Sequence, residues 1–362
     1  MKTERLLENM FIEKNLKQST KNGYKRAVEH FEKHTQQSLH ETLTQAEKEE
    51  TQWKKSTLRT NLISFRREMY ETYKKDTAKG YYGKIISLLN YYEINIGKLP
   101  PINMGNDNRL KDSSELPSQE TLKLCIELKN NNLLRSTTLL MSSTGLSPID
   151  LLNLTIDDYL KSTRQYHQYY THFNILNAIH EMKDKEVVAT FKGNRQKTKT
   201  QYITFASPEA IKATNLYLLS RTDKLNIDSP LFKTSRRHLN KLFQDTNDQL
   251  GLGETSEGIS CFSPKNLRSY HATQLEIAGM SDSRIDILQG RKTQSIIRRH
   301  YIKVNVDVLR EEYIKCLPYL VVDDMNKIKT ELDVVKEENA ELKDRQDKLD
   351  EILARIELLE KM

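Results

Sequence analysis

At 362 residues the chain is long enough for two ordinary domains and a tail, and its 57 Lys and Arg against 50 Asp and Glu give a formal charge of +7, an excess that points to a polyanionic partner. No window approaches the roughly 18 consecutive apolar residues of a membrane span, and the opening segment, MKTERLLENMFIEKNLK, lacks a signal-type apolar stretch with a cleavage site. A cytoplasmic protein without membrane association is expected. Three cysteines, Cys125, Cys261 and Cys316, are too few and too scattered for a disulfide framework or a zinc site, so they read as ordinary thiols.

Residues 1–105 are predicted to form a helical domain. Thr20, Tyr24, Ala27, Val28 and Phe31, then Leu58, Leu62, Phe65 and Met69, recur at steps of three and four, with Ser19 and Ser56 as candidate N-caps. This region holds 19 basic and 13 acidic residues. Lys54, Lys55, Arg59, Arg66 and Arg67, followed by Lys74, Lys75, Lys79 and Lys84, crowd two adjacent helices, with Tyr73, Tyr81 and Tyr82 interleaved. Such a face suits sequence-independent phosphate contacts; the alternative is a solvated helix face. His30 and His34 share a helix face, but no third ligand accompanies them, so no metal is assigned. The cluster IGKLPPINMGNDN, from Ile96 to Asn108, breaks all periodicity and reads as a linker.

The second domain, 112–320, opens with helical patterns to about Tyr159. Two strand-like runs follow, VVATF (187–191) and YITF (202–205), joined by the polar stretch KGNRQKTKTQ, which reads as a protruding functional loop. Helical patterns resume from Pro208 to about Asn247 and from Pro264 to Leu317. The expected fold is therefore mostly α with a small β-sheet. The segment 322–362 is acidic, with 8 basic and 13 acidic residues. Its Ile328, Leu332, Val335, Asn339, Leu342, Gln346, Leu349, Leu353 and Ile356 alternate steps of four and three, the seam of a coiled coil. The flanking pairs Glu331 with Lys336, Glu338 with Lys343 and Arg345 with Asp350 are opposite in charge. Asn339 at an interior a position favours a parallel homodimer; folding back on the body is the alternative.

The chemistry concentrates in FSPKNLRSYHATQLEIAGMSDSRIDILQGRKTQSIIRRHYIK, from Phe262 to Lys303. Pro264 suits a first helical turn, which sets Lys265 and Arg268 one turn apart. Gly290 and Arg291 follow, and Tyr301 stands ten residues beyond Arg291. A phenol becomes a useful nucleophile when cations stabilise the charge developing on its phosphate target. Any one of 17 tyrosines is by default a core residue; the spacing of Tyr301 from this cationic run is what singles it out.

These motifs resemble those of the tyrosine recombinases, or phage-type integrases, in which His-x-x-Arg and Leu-Gly-His precede a tyrosine. Here the first appears as Lys265, Asn266, Leu267, Arg268 and the second as Gln289, Gly290, Arg291, departures that resemble the archaeal, fusellovirus-like branch and suggest a virus or mobile element. LLMSSTGLSPIDLLNLTIDDYL, from Leu139 to Leu160, is similar to the family's first motif, and RQKTKTQYITFASPEA, from Arg195 to Ala210, to its lysine hairpin. The resemblance implies a core-type DNA-binding domain at the N-terminus and an α+β catalytic domain after it. It makes Tyr301 the nucleophile of a 3′-phosphotyrosine intermediate and Arg268 a phosphate clamp. Lys265 and Arg291 become further positive charge. Lys197 is the general acid for the leaving 5′-oxygen, with Lys199 as the other candidate. No metal, ATP or other cofactor is implied.

One position departs more seriously. After Thr144, Gly145 and Leu146 the family pattern presents an arginine, and this chain has Ser147. Losing one such donor is worth on the order of 3 kcal/mol of transition-state stabilisation; Arg135, Lys192 and Arg195 are the candidate replacements. The expected function is site-specific recombination or integration on double-stranded DNA, through a tetrameric synapse helped by a dimerising tail. The alternative is a DNA-binding protein of weak or no activity on a recombinase scaffold.

Overall fold

A computed structural model describes residues 2–102, 112–168, 175–292, 304–323 and 345–346. Two compact units emerge, Met1–Arg109 and Leu110–Met362. Among the described residues no helix is long and apolar enough to cross a membrane. The heptad segment lies outside the described residues apart from Arg345 and Gln346.

Five helices build the first unit: α1 (Lys2–Glu13), α2 (Gln18–Thr35), α3 (Leu39–Lys48), α4 (Thr57–Thr72) and α5 (Lys75–Tyr91). Each turns one apolar stripe inward, as the three-and-four spacing requires. Tyr24, Ala27, Val28 and Phe31 of α2 meet Leu58, Leu62, Phe65 and Met69 of α4 in a single core; the Phe31 and Phe65 rings lie edge to face, 5.1 Å apart. Thr20, expected on that stripe, is exposed. Ser56 caps α4 by accepting from the Arg59 amide at 3.2 Å. Ser19 does not cap: α2 starts one residue earlier, behind Lys17, with no side-chain cap. Ser38 instead makes a full capping box with Glu41 on α3. His30 stacks among Tyr73 and Tyr81, and His34 is bonded to Glu68 and Ser64.

The second unit contains α6 (Gln119–Glu127), α7 (Asn132–Thr144), α8 (Pro148–Leu152), α9 (Ile156–Ser162), α10 (Ile175–Glu181), β1 (Ala189–Asn194), β2 (Gln201–Ala206), α11 (Pro208–Leu219), α12 (Arg236–Gln249), α13 (Pro264–Ile277), α14 (Asp282–Gln289) and α15 (Val306–Leu320). β1 and β2 pair antiparallel from Ala189 opposite Ala206 to Asn194 opposite Gln201. The strands thus run further toward the turn than their apolar runs suggest, because Lys192, Gly193 and Asn194 join the ladder. The expected long protruding loop shrinks to residues 195–200. It is also pinned, since the Gln196 amide donates to Asp150 Oδ1 at 2.7 Å.

Helix α7 runs through the centre, and Leu134 together with every residue from Ser136 to Thr144 is buried. Its hydroxyls bond back along the helix, Ser143 to the Leu139 carbonyl and Thr144 to that of Leu140, so a polar helix can sit in an apolar core. The helices expected from Pro208 to about Asn247 are α11 and α12, with a non-helical stretch between them. At the far end, Gln119 Nε2 donates to the carbonyls of Pro318 and Val321, and both oxygens of buried Glu209 accept from the amides of Val322 and Asp323 at 3.0 Å. Burial pushes the Glu209 carboxyl up to about 7, against the pull of those two amides.

Because Phe31 is fully buried against Phe65, Phe31→Ala is expected to lower the unfolding free energy of the first unit by about 3–5 kcal/mol. Urea denaturation of the full chain checks it; a loss below about 1 kcal/mol would contradict this core.

Candidate functional site

The site grows from two helix ends. Helix α7 stops at Gly145 and helix α14 at Gly290, both left-handed, with φ of 63° and 59°. Glycine adopts that conformation without a Cβ penalty. At Gly145 the requirement is also steric, because an added Cβ would lie 2.5 Å from His271 Nδ1. Each helix end presents backbone carbonyls with no partner inside the helix and the negative end of the helix dipole.

Helix α13 supplies the cation that joins them. Ser263 caps it and Pro264 takes its first turn, which sets Arg268 on the second turn. Arg268 donates from one terminal nitrogen to the Gly145 carbonyl at 2.5 Å and from the other to the Gln289 carbonyl at 2.6 Å. A guanidinium has five N–H donors, so two are committed and three can serve an anion. Gln289 closes the arrangement by donating through Nε2 to the Arg268 carbonyl at 2.9 Å and to His271 Nδ1 at 3.0 Å.

The hairpin turn packs against the same place. An added Cβ at Gly290 would lie 3.2 Å from Tyr202 Cβ, 3.5 Å from the Thr200 carbonyl and 3.6 Å from Arg195 Cβ. Burial, then the charges of Arg195 and Arg291, pull Arg268 down to about 9, while Asp150 pulls the other way. It is still a cation at neutral pH. Buried Asp150 is the counterweight: one oxygen holds the Gln196 amide and the other accepts from Ser147 Oγ at 2.6 Å. His271, fully buried, is driven down to about 3 by burial and by Arg268 and Arg291. Neutral and unexposed, it braces the site and does not face a substrate.

Not every expected residue joins Arg268. Lys265, expected on the same helix face, pairs with Glu257 at 2.6 Å and shares with Arg291 a cleft of about 490 Å³. Lys197 is exposed at the turn, as is Lys199; Lys199 has φ of 57° and bonds to Gln196 at 3.4 Å. Ser147 sits where an arginine was expected, at the start of α8, with its hydroxyl on Asp150. Tyr301 lies outside the described residues, as does His300. On the first unit Lys54, Lys55 and Arg67 are exposed and Arg59 is half-buried. Arg66 is turned to internal work, donating to the Pro100 carbonyl at 2.7 Å and lying over the Tyr82 ring. Among the described residues no group of His, Cys, Asp and Glu is arranged to hold a metal.

Comparison with solved structures bears on the fold. The Tn1549 transposon integrase, in a complex with transposon right end DNA, is 13% identical, with a TM-score of 0.51 over 86% of this chain and 98% of that one. The chain shares its fold with that integrase. XerA recombinase is 16% identical with a TM-score of 0.32 over 86% and 96% of the two chains. The integrase from mycobacterium phage Brujita is 13% identical with a TM-score of 0.38 over 91% and 96%. No family model matches the sequence, and no curated protein matches it.

Removing Asp150 leaves the Gln196 amide without its acceptor. Asp150→Ala is expected to cost about 1–3 kcal/mol and to speed hydrogen exchange at Gln196; exchange at the wild-type rate would contradict the pinning. His271 titrates at 6.5 when unfolded and about 3 when folded, so between those values the unfolded chain binds the extra proton. Its contribution is complete above pH 6.5 and declines as pH falls toward 3. The stability gap between wild type and His271→Gln, followed by urea melts, should therefore narrow over that window, and a constant gap would contradict a neutral buried imidazole.

Proposed function

We propose that this chain is a site-specific DNA recombinase, an integrase that cuts and rejoins double-stranded DNA through a 3′-phosphotyrosine on Tyr301. The observation that carries the reading is the junction of two glycine-capped helix ends by Arg268, with Arg195 and Arg291 in its field. Half-buried Arg268, held by two backbone carbonyls and within the field of two further guanidinium groups, is suited to meet an anion. The fold shared with an integrase solved on transposon DNA supports the same reading.

In the reaction the Tyr301 oxygen attacks the phosphorus and the bond to the 5′-oxygen breaks. The phenolic proton passes to solvent water, and Lys197 at the hairpin turn, or Lys199 beside it, delivers a proton to the leaving 5′-oxygen. Arg268 and Arg291 stabilise the charge that builds on the non-bridging oxygens, with Lys265 at the rim once released from Glu257. The phosphodiester energy is kept in the tyrosyl ester, so rejoining to a partner strand needs neither ATP nor a metal ion. Lys54, Lys55, Arg59 and Arg67 add sequence-independent grip on phosphates.

Within this reading the first domain spans 1–105, the catalytic domain 112–320 and the coiled coil 322–362. The coil pairs two copies, two pairs make the synapse, and the protein works in the cytoplasm. Lys265 and Arg291 in place of the commoner imidazoles favour the archaeal, fusellovirus-like branch. A second reading, a DNA-binding protein with weak or lost chemistry, is favoured by one observation, that Ser147 spends its hydroxyl on Asp150.

The test is a duplex enriched by the full chain from a random-sequence pool and nicked so that cleavage is trapped. Wild type should form a covalent protein–DNA adduct that Tyr301→Phe abolishes while still binding the duplex. Binding without any wild-type adduct would sink the recombinase reading and leave the second.

A further inference from the structure

We propose that Arg195, from the hairpin turn, supplies the phosphate clamp that Ser147 cannot. The inference deepens the recombinase reading and rests on it.

Ser147 offers one hydroxyl, already donated to Asp150, where a transferring phosphoryl group calls for a planar cationic fork. The compensating cation must come from elsewhere in the chain, and three candidates can be compared. Arg135 lies on α7 ten residues before Gly145, about 15 Å away along the helix, and its charge acts on Glu209 at the opposite end. Lys192 is exposed and lines a different cleft, with Asp158, Arg164 and Arg310. Arg195 alone of the three is found against Gly290, the residue that follows the Gln289 carbonyl holding Arg268.

Its backbone is held on both sides. The Arg195 amide donates to the Thr200 carbonyl and its carbonyl accepts from the Lys199 amide, each at 2.8 Å, and the next amide is fixed on Asp150. Asp150 therefore links Ser147 to the residue that follows Arg195, since Ser147 and Gln196 hold opposite oxygens of one carboxylate. Arg195 Nε is buried and has no hydrogen-bond partner among the described residues. A buried donor left unmade is costly, and a phosphate oxygen would satisfy it. Of the charged neighbours, Arg195 acts most strongly on Arg268.

The experiment uses the full chain and the enriched duplex, with the scissile phosphate mapped from the wild-type adduct. Adduct formation is timed for wild type, Arg195→Ala, Arg195→Lys and Lys192→Ala, on the natural phosphate and on a methylphosphonate at that position, which lacks the charge the clamp would meet. Arg195→Ala should slow adduct formation about 100-fold or more on the phosphate while DNA affinity changes less than about threefold. On the methylphosphonate the deficit should shrink to about tenfold or less. Arg195→Lys, keeping the charge without the fork, should fall between, and Lys192→Ala should stay within about threefold of wild type. Arg195→Ala reacting within about threefold of wild type overturns the proposal. A deficit of Arg195→Ala and Arg195→Lys that is undiminished on the methylphosphonate also overturns it, because a purely structural role would produce that. Failure of wild type to form any adduct is a different result, and it sinks the recombinase reading itself.

Discussion

The second unit depends on how the C-terminal end of α7 is satisfied. A helix ends with carbonyls that have no partner along its own axis, and α7 ends buried in the core. Three successive carbonyls are each taken by a different element: Ser143 by Tyr313 of α15 at 3.0 Å, Thr144 by Thr204 of β2 at 2.7 Å, and Gly145 by Arg268 of α13 at 2.5 Å. One need of the backbone thus fixes the placement of a strand, two helices and the principal cation. The elements that carry the site are held by the same residues that end the helix.

This explains why a cluster of like charges is tolerated. Arg268 is partly removed from water and is repelled by Arg195 and Arg291, both of which weaken its charged state. Against this stand two helix dipoles whose negative ends meet at Arg268, and the Asp150 carboxylate nearby. The balance leaves Arg268 positive and held in place by backbone.

Much of the architecture was legible in the sequence, for definite reasons. The stripes through Tyr24 and Phe31, and through Leu58 and Met69, follow from helical periodicity, and Pro264 and Ser56 acted as helix starts because their chemistry suits only that position. Other features were not legible. The strands outran their apolar runs because ladder pairing through Lys192 and Asn194 needs backbone and not hydrophobic side chains. Ser19 lost the capping role because the first turn of α2 began one residue earlier. Lys265 and Arg268 share a helix face by spacing, yet Glu257, which no local pattern connects to them, draws Lys265 aside. Tyr313 and Thr204 bind carbonyls far away in sequence, and nothing in their own surroundings marks them. His271, three residues past Arg268, looks catalytic on paper, and only its burial shows it to be a brace.

The closure of the second unit at its far end has a mechanical consequence. Gln119 opens α6 and Glu209 opens α11, and together they hold residues 318–323. The place where the chain enters this unit and the place where it leaves are stitched together. The same closing segment also reaches the helix that carries Arg268, because the Tyr270 hydroxyl of α13 donates to the Tyr319 carbonyl at 3.2 Å. Closure of the unit and placement of the principal cation therefore lean on one helix, so loosening the first would be felt by the second.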